Sequence, residues 1–136
     1  MKNIRLVFNH IPHVTPLVRK ALARQVAQSA KNIETHVHDR MREPKHGKTY
    51  TIGGKQHTAS APGEAPAVLT GELIESVEEY AESELTHIVP STGIQAWWEY
   101  GLRGLPARPC FRPAVGAEEP EFTAGCEAAV RLSEHV

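Results

Sequence analysis

The clearest feature of the hydrophobic pattern is a helical repeat that begins after Thr15 and Pro16. Thr15 suits the N-cap of a helix, Pro16 suits its first turn, and Pro44 prevents its continuation. Between these limits the pattern predicts an amphipathic helix over residues 16–40. In so small a chain, part of this helix should face solvent or a neighbouring subunit. Its apolar positions recur at spacings of three and four: Val18, Leu22, Val26, Ala30, Ile33 and Val37.

The middle of the chain predicts a hairpin and a long loop. Two short polar-apolar segments flank Gly53 and Gly54, which is typical of a β-hairpin with a two-residue turn. From this turn onward, residues 53–69 are expected to project as a Gly- and Pro-rich loop, because Pro62, Gly63 and Pro66 break regular structure. The loop has little apolar surface of its own. We therefore expect it to be mobile in an isolated subunit and ordered on assembly.

The two ends of the chain complete an α+β pattern. Residues 4–8 favour a first strand or an extended arm, and residues 76–81 and 86–90 favour an antiparallel pair. Pro120 is expected to open a short C-terminal helix. The sequence thus predicts one domain over residues 1–136, with the long N-terminal helix packed on a small, mostly antiparallel sheet. The apolar side of the last helix consists of Phe122, Cys126, Ala129, Val130 and Leu132.

Composition excludes some classes of protein. Lys and Arg number 15 against 16 Asp and Glu, for a net charge of −1, which argues against a protein whose main task is to hold nucleic acid. No apolar run approaches the roughly 18 residues of a membrane span, and the N-terminus lacks the apolar region of an export signal. Cys110 and Cys126 are too few for a disulfide framework. One bridge and two free thiols both remain open.

Candidate catalytic chemistry is sparse. The sequence has no phosphate-binding glycine loop, nucleophile elbow or paired-histidine zinc motif. His36 and His38 lie two residues apart on the predicted helix and point about 200° away from each other, so they should not share a metal ion. We expect no metal site, no cofactor and no enzymatic activity. The acidic residues near the second hairpin favour a solvated strand face; they are Glu75, Glu78, Glu79, Glu82 and Glu84.

Two stretches resemble a known family. Residues 57–67 read HTASAPGEAPA and lead into Thr70, Gly71 and Leu73; later, residues 98–101 read WEYG and residues 107–114 read ARPCFRPA. In this order, after an amphipathic helix, they resemble the tail-component family of lambdoid-type siphophages, whose members join the head and tail or complete the tail. Tyr100 stands where that family usually has Phe, and Cys110 stands where it usually has an aromatic residue.

The resemblance implies a structural virion protein in the neck of a tailed bacteriophage or prophage, made in the bacterial cytoplasm. It implies a homo-oligomeric ring, expected to be six-fold, which contacts tail-tube and head-connector proteins and binds neither membrane nor specific nucleic acid. We expect Trp97 or Trp98 to be largely buried, and packing is favoured over base stacking for both. The candidate interface residues are Trp97, Trp98, Glu99, Tyr100, Arg108, Ser60, Pro62 and Glu64.

Two other functions stay open from the residues alone. A small histidine-dependent metal enzyme, such as a nuclease, would use imidazoles among His36, His38, His46 and His57 with Asp39. An accessory protein that binds nucleic acid would use Trp97 and Trp98 as a stacking platform. Bound metal would mark the first function, and a steep salt dependence of DNA binding would mark the second.

Overall fold

A computed structural model of the chain describes residues 4–7, 16–91 and 93–132. It is an α+β fold with a long N-terminal helix, two small antiparallel sheets and a long C-terminal helix. The elements in chain order are β1 (Ile4–Val7), α1 (Pro16–Arg42), β2 (Thr49–Ile52), β3 (Lys55–Thr58), α2 (Glu72–Glu75), β4 (Tyr80–Ser83), β5 (Thr86–Val89), α3 (Gly93–Tyr100) and α4 (Phe111–Arg131).

The strands form two separate antiparallel sheets. In the first, β5 lies between β1 and β4, with Ile4 opposite Val89 and Tyr80 opposite Ile88. Because β5 is the central strand, its residues are mostly buried. The second sheet is the β2–β3 hairpin, which confirms the hairpin predicted around Gly53 and Gly54. Both glycines have positive φ angles, as a turn of this kind requires.

Helix α1 carries the core, and its predicted apolar positions are all buried. It packs mainly against α4, and it also contacts β5. The larger core cluster joins α1 to the strand β5 and the start of α4, while a smaller one joins the beginning of α1 to the end of α4. Burial of each large aliphatic side chain contributes about 1.5–3 kcal/mol. The larger cluster consists of Ala30, Ile33, Val37, Met41, Ala65, Ile74, Val77, Val89, Cys110, Phe111 and Ala114.

The C-terminal helix differs most from the prediction. It begins at Phe111 rather than at Pro120, and its 21 residues make it long rather than short. Pro113 is tolerated because it lies in the first turn, where a backbone N–H has no partner within the helix. Pro120 lies inside the helix and cannot donate to the carbonyl of Gly116. Both residues are exposed, so the carbonyl without its partner faces the solvent side.

The segment before β4 is not a strand. We expected a strand over residues 76–81, but β4 begins at Tyr80 and residues 76–79 pack against α1 instead. His38 Nε2 lies 2.7 Å from the carbonyl oxygen of Val77. The backbone N–H of Glu79 donates to the carboxylate of Glu34 at 2.6 Å. The side chains of His38 and Glu34 thus supply hydrogen-bond partners that a neighbouring strand would otherwise supply. The alternation of polar and apolar residues alone does not reveal these partners.

The loop is shorter than predicted and is held at several points. Residues 55–58 belong to β3, so the irregular segment begins at residue 59. Its Ala59 is hydrogen-bonded to both Gly47 and Lys48, and Ala65 is buried in the core. A side chain on Gly47 would lie 2.4 Å from the Ala59 carbonyl oxygen, so this close approach requires glycine. The expectation of mobility rested on apolar surface alone, and it stays a prediction; the sequence did not indicate these backbone hydrogen bonds.

Candidate functional site

The aromatic segment that the sequence analysis singled out forms helix α3, and its side chains face different directions. Trp97 is 57% exposed and Tyr100 is 69% exposed. Trp98 is half-buried, whereas Glu99 is only 4% exposed. One of the two tryptophans was expected to be largely buried; Trp98 is the more enclosed of them, and Trp97 is exposed. A short amphipathic helix presents successive residues about 100° apart, which separates the two indoles.

Glu99 holds the beginning of α4. Its carboxylate accepts hydrogen bonds from the backbone N–H groups of Cys110 (2.9 Å), Phe111 (3.1 Å) and Arg112 (2.7 Å). The next residue, Pro113, has no N–H, and Ala114 donates to the Cys110 carbonyl at 3.3 Å. Every N–H at the start of the helix is thus satisfied, and the negative charge lies where the helix dipole favours it. Glu99 serves its own subunit and lies inside it, not on the surface expected for an interface residue.

Arg108 joins α3 to the loop. Its Nε and Nη2 donate to the carbonyl oxygen of Ser60 at 3.3 and 3.2 Å, and its Nη1 donates to that of Pro106 at 3.0 Å. The guanidinium lies over the Trp98 ring, 5.7 Å from its centroid. The backbone N–H of Arg108 donates to the Trp98 carbonyl oxygen. The structure therefore brings Ser60 together with Trp98 and Arg108, although Ser60 and Arg108 are 48 residues apart in sequence.

Glu64 holds the other end of the same loop. Its carboxylate accepts hydrogen bonds from the backbone N–H groups of Ala61 and His46, both at 3.1 Å, and contacts His46 Nδ1 at 2.7 Å. The Ala61 N–H, together with His46, keeps the pKa of Glu64 below its ordinary value. Pro62 is exposed, and Gly63 donates from its backbone N–H to the Ala107 carbonyl oxygen at 3.0 Å. The loop is thus tied both to the hairpin base and to the segment before α4.

The residue that follows Tyr100 is glycine because both the backbone angle and the space at this position require it. Its φ angle is +78°, and a side chain there would lie 2.6 Å from the carbonyl oxygen of Leu105. The chain reverses here through Arg103 and Gly104, which also have positive φ angles, and Leu102 and Leu105 exchange backbone hydrogen bonds of 3.3 and 2.9 Å. This turn leads the chain from α3 back towards α4.

A groove of about 300 Å³ opens beside Trp98. Its walls are mainly apolar and come from the end of α1, the loop and α2, with His57, Ser60 and Thr70 as its polar members. Among the described residues that line the groove, His57 is accompanied by no acidic side chain. The apolar walls include Met41, Pro66, Val68, Leu69, Leu73, Ile74 and Trp98.

The histidines are dispersed. His36 is exposed, whereas His38 turns towards Val77, so the two side chains of α1 lie in different surroundings. His46 pairs with Glu64, and His57 lines the groove. Within the described ranges, no group of three or more His, Cys, Asp or Glu side chains is arranged to hold a metal ion. His10 and His13 lie outside the described residues.

Both thiols are free and buried. Burial, together with the nearby Glu99 carboxylate, raises the pKa of the Cys110 thiol to about 12. Burial also raises the pKa of Cys126. Gln95 Nε2 lies 3.0 Å from Cys110 Sγ. A protonated, enclosed thiol is a poor nucleophile, so these cysteines act as packing residues.

The acidic residues near the second hairpin divide into two groups. Glu78 and Glu82 lie on the surface, and Glu84 pairs with Arg19 at 2.8 Å, also in an exposed position. In contrast, Glu79 contacts His87 Nδ1 at 2.8 Å in a largely buried pair. The predicted solvated face thus holds for part of the set. On the inward side of this segment, the Glu79 carboxylate contacts His87 of β5, and the Glu79 backbone N–H donates to Glu34 of α1.

Several buried polar residues were not predicted from the sequence, among them Glu34, Gln95 and Glu118. Glu34 follows the core residue Ile33 on α1, and its position beside the apolar stripe was the available signal. Glu118 accepts a hydrogen bond from Asn32 Nδ2 at 3.0 Å, which joins α4 to α1. Because that pair is 86 residues apart, no local pattern could have found it.

No protein-family model, curated protein or solved structure matches this chain. In the described part of the chain, no helix is both long enough and apolar enough to cross a membrane.

Proposed function

We propose that this chain is a structural subunit of a tailed bacteriophage or prophage that joins or completes the tail at its head-proximal end. In this role it forms a homo-oligomeric ring, six-fold in our proposal, and contacts tail-tube and head-connector proteins. It is made in the host cytoplasm and ends in the virion neck. It carries no catalytic activity and no cofactor.

The observation that carries this proposal is the joining of the two motif stretches. Residues 57–67 and 98–114 resemble the tail-component family, and Arg108 connects them through its two hydrogen bonds to Ser60. Gly63 and Ala107 add a backbone hydrogen bond between the same stretches. Residues of the two stretches that carry the resemblance therefore hold these stretches together. This is the use expected of motif residues in a structural protein, whose shape is its function.

The exposed apolar residues of the chain also support the proposal. Trp97, Tyr100 and Leu105 expose more than half of their side-chain surface, and the tip of the β2–β3 hairpin exposes Tyr50 and Ile52. Contiguous exposed apolar surface is typical of sites that bind other proteins. A ring subunit needs such surfaces on two sides.

The proposal is tested in the phage or prophage that encodes the chain. Deletion of the gene should give separate heads and tails, or tails of incomplete structure, in electron micrographs. Infectious particles should return when the intact gene is supplied from a plasmid. Antibody labelling should mark the neck of complete particles. Normal yields of infectious particles from the deletion strain would refute the proposal.

Assays of the purified protein test the two alternative functions. A nuclease would cleave DNA in the presence of Mn²⁺ or Zn²⁺ and would lose this activity after substitution of His36 or His38. A nucleic-acid-binding accessory protein would bind DNA with an affinity that falls steeply with salt. We expect neither result.

A further inference from the structure

The exposed aromatic surface of α3 continues into the turn that follows it. Trp97 and Tyr100 lie three residues apart and so share one face of the helix. Leu102 and Leu105, which are 37% and 60% exposed, lie in the hydrogen-bonded turn beyond it. We call these four residues the aromatic ridge. All four are large residues with apolar surface, and each is more than a third exposed.

The groove beside Trp98 is the second apolar feature of the same subunit. Val68 and Leu69, which are 40% and 58% exposed, form its outer wall, and Leu73 and Ile74 form part of its inner side. Trp98 follows Trp97 directly on α3, so their side chains point about 100° apart. The aromatic ridge and the groove therefore lie on different faces of one subunit.

The two faces carry opposite charges. Arg103 is exposed in the turn of the aromatic ridge, whereas Glu72 and Glu75 are exposed on α2, whose Leu73 and Ile74 line the groove. Within the described residues, none of the three takes part in an ion pair. The net charge of −1 leaves little overall repulsion between copies of the chain. Both halves of a complementary contact are thus present on one molecule.

We propose that the aromatic ridge of one copy of this chain packs into the groove of the next copy, with Arg103 facing Glu72 and Glu75. This inference rests on the proposed role as a ring subunit, and it names the contact that builds the ring. A contact between two different faces is heterologous, and repetition of such a contact closes a ring when the rotation between copies permits. The partner is a second copy because the same chain carries both apolar surfaces and the opposite charges.

Directional cross-linking tests this arrangement. Arg103→Cys and Glu72→Cys each place one thiol at the proposed contact, and the native Cys110 and Cys126 are buried. With a short bismaleimide, a mixture of the two variants should give a covalent dimer, and the chain that carries both substitutions should give a ladder of oligomers. Glu121→Cys is the control, because Glu121 is exposed on α4 and belongs neither to the aromatic ridge nor to the lining of the groove. Its mixture with Arg103→Cys should stay monomeric on the gel.

Charge exchange provides the second arm. Arg103→Glu or Glu72→Arg alone should weaken self-association by roughly tenfold, since each replaces attraction by repulsion. The chain with both substitutions should regain most of the association, because the charges are complementary again. Sedimentation velocity over a concentration series measures all four proteins. Circular dichroism melting confirms that each variant folds.

The outcomes separate this contact from the proposed function. Cross-links only between two Arg103→Cys chains, or none in a protein that still assembles infectious particles, would overturn the contact and leave the function standing. A ladder in the purified protein, together with normal particles from the deletion strain, would support the contact and refute the function. Unchanged association of both single charge variants would also overturn the contact.

Discussion

Arg108 donates two hydrogen bonds to the carbonyl oxygen of Ser60, across a separation of 48 residues. The planar guanidinium reaches this oxygen from Nε and Nη2 while it covers the Trp98 ring. Ser60 belongs to the irregular loop, whereas Trp98 belongs to helix α3. The side chain of Arg108 therefore contributes directly to the position of the loop relative to α3.

Replacement of Arg108 by lysine should lower stability even though the charge is kept. A lysine ammonium cannot donate in the fixed planar geometry of the guanidinium, nor stack as well on the indole. We expect the free energy of unfolding to fall by about 1–2 kcal/mol in urea titrations. Arg131→Lys is the matched control, because Arg131 forms an exposed pair with Glu127 at 3.7 Å. Equal stabilities of the two variants would contradict the role given to Arg108.

Glu99→Gln should weaken the start of α4. The amide keeps the size of the side chain but has a single acceptor oxygen for three backbone N–H donors, and it lacks the negative charge. The expected loss is about 1–3 kcal/mol, since bonds to a charged acceptor are lost in a buried site. Thermal melting measures this, with Glu119→Gln on the exposed side of α4 as the control. A melting temperature equal to that of the control variant would show that the cap is unimportant.

Glu34 should make stability depend on acid pH. Burial opposes ionisation of its carboxyl, but the Glu79 N–H and the Lys31 ammonium outweigh burial, and the pKa is lowered from 4.5. The folded state thus binds the proton more weakly than the unfolded chain does. The stabilisation is complete above pH 4.5 and is lost as the pH falls through the lowered value. Glu34→Gln should show a smaller loss of stability between pH 5 and the acid limit, and parallel pH profiles would exclude this linkage.

Replacement by alanine should stabilise the protein at Gly116 of α4 but not at Gly125 of the same helix. A side chain at Gly116 meets nothing within 4 Å, whereas one at Gly125 would lie 1.9 Å from Gln25 Oε1. Alanine in a helix is favoured over glycine by about 1 kcal/mol, so Gly116→Ala should raise stability by that amount. Gly125→Ala should give no such gain, because Gln25 must move and give up its 2.9 Å hydrogen bond to Ser29. A similar gain in both variants would show that the packing of α1 on α4 is looser than described.

Cys110 should resist alkylation in the folded protein. Its raised pKa, about 12, leaves almost no thiolate at pH 8, and the side chain is fully buried. Iodoacetamide at pH 8 should therefore modify Cys110 only after denaturation, as peptide mass spectrometry can follow. Glu121→Cys supplies an exposed thiol that should react at once under the same conditions. Modification of both sites at the same rate would contradict the buried position of Cys110.

Several elements were determined by local sequence. The spacing of Val18, Leu22 and Val26 predicted α1, because one face of a helix must be apolar to be buried. Gly53 and Gly54 predicted the β2–β3 hairpin, since the backbone angles of its turn favour glycine. In both cases a few neighbouring residues contain the whole signal. The α+β class followed from such segments taken together.

Other features were decided only in three dimensions. Prolines at 113 and 120 argued against a long C-terminal helix, yet Glu99 caps its first turn and the contacts with α1 hold the rest. Residues 76–79 alternate as a strand does, but α1 supplies their hydrogen-bond partners. The loop of residues 59–71 has few apolar side chains, and Arg108 and Glu64 nevertheless tie it down.

The candidate site shows the same division. The sequence by itself marked Trp97, Trp98, Glu99 and Tyr100 as one group, but it could not assign their directions. On α3, Trp97 and Tyr100 are exposed and Trp98 lines the groove. Glu99 is buried and caps the beginning of α4. Residue types and their spacing determine which segments become helix or hairpin, because those depend on near neighbours. Which side chains are buried, and which remain exposed for a partner, depends on segments tens of residues away that meet only in the folded protein.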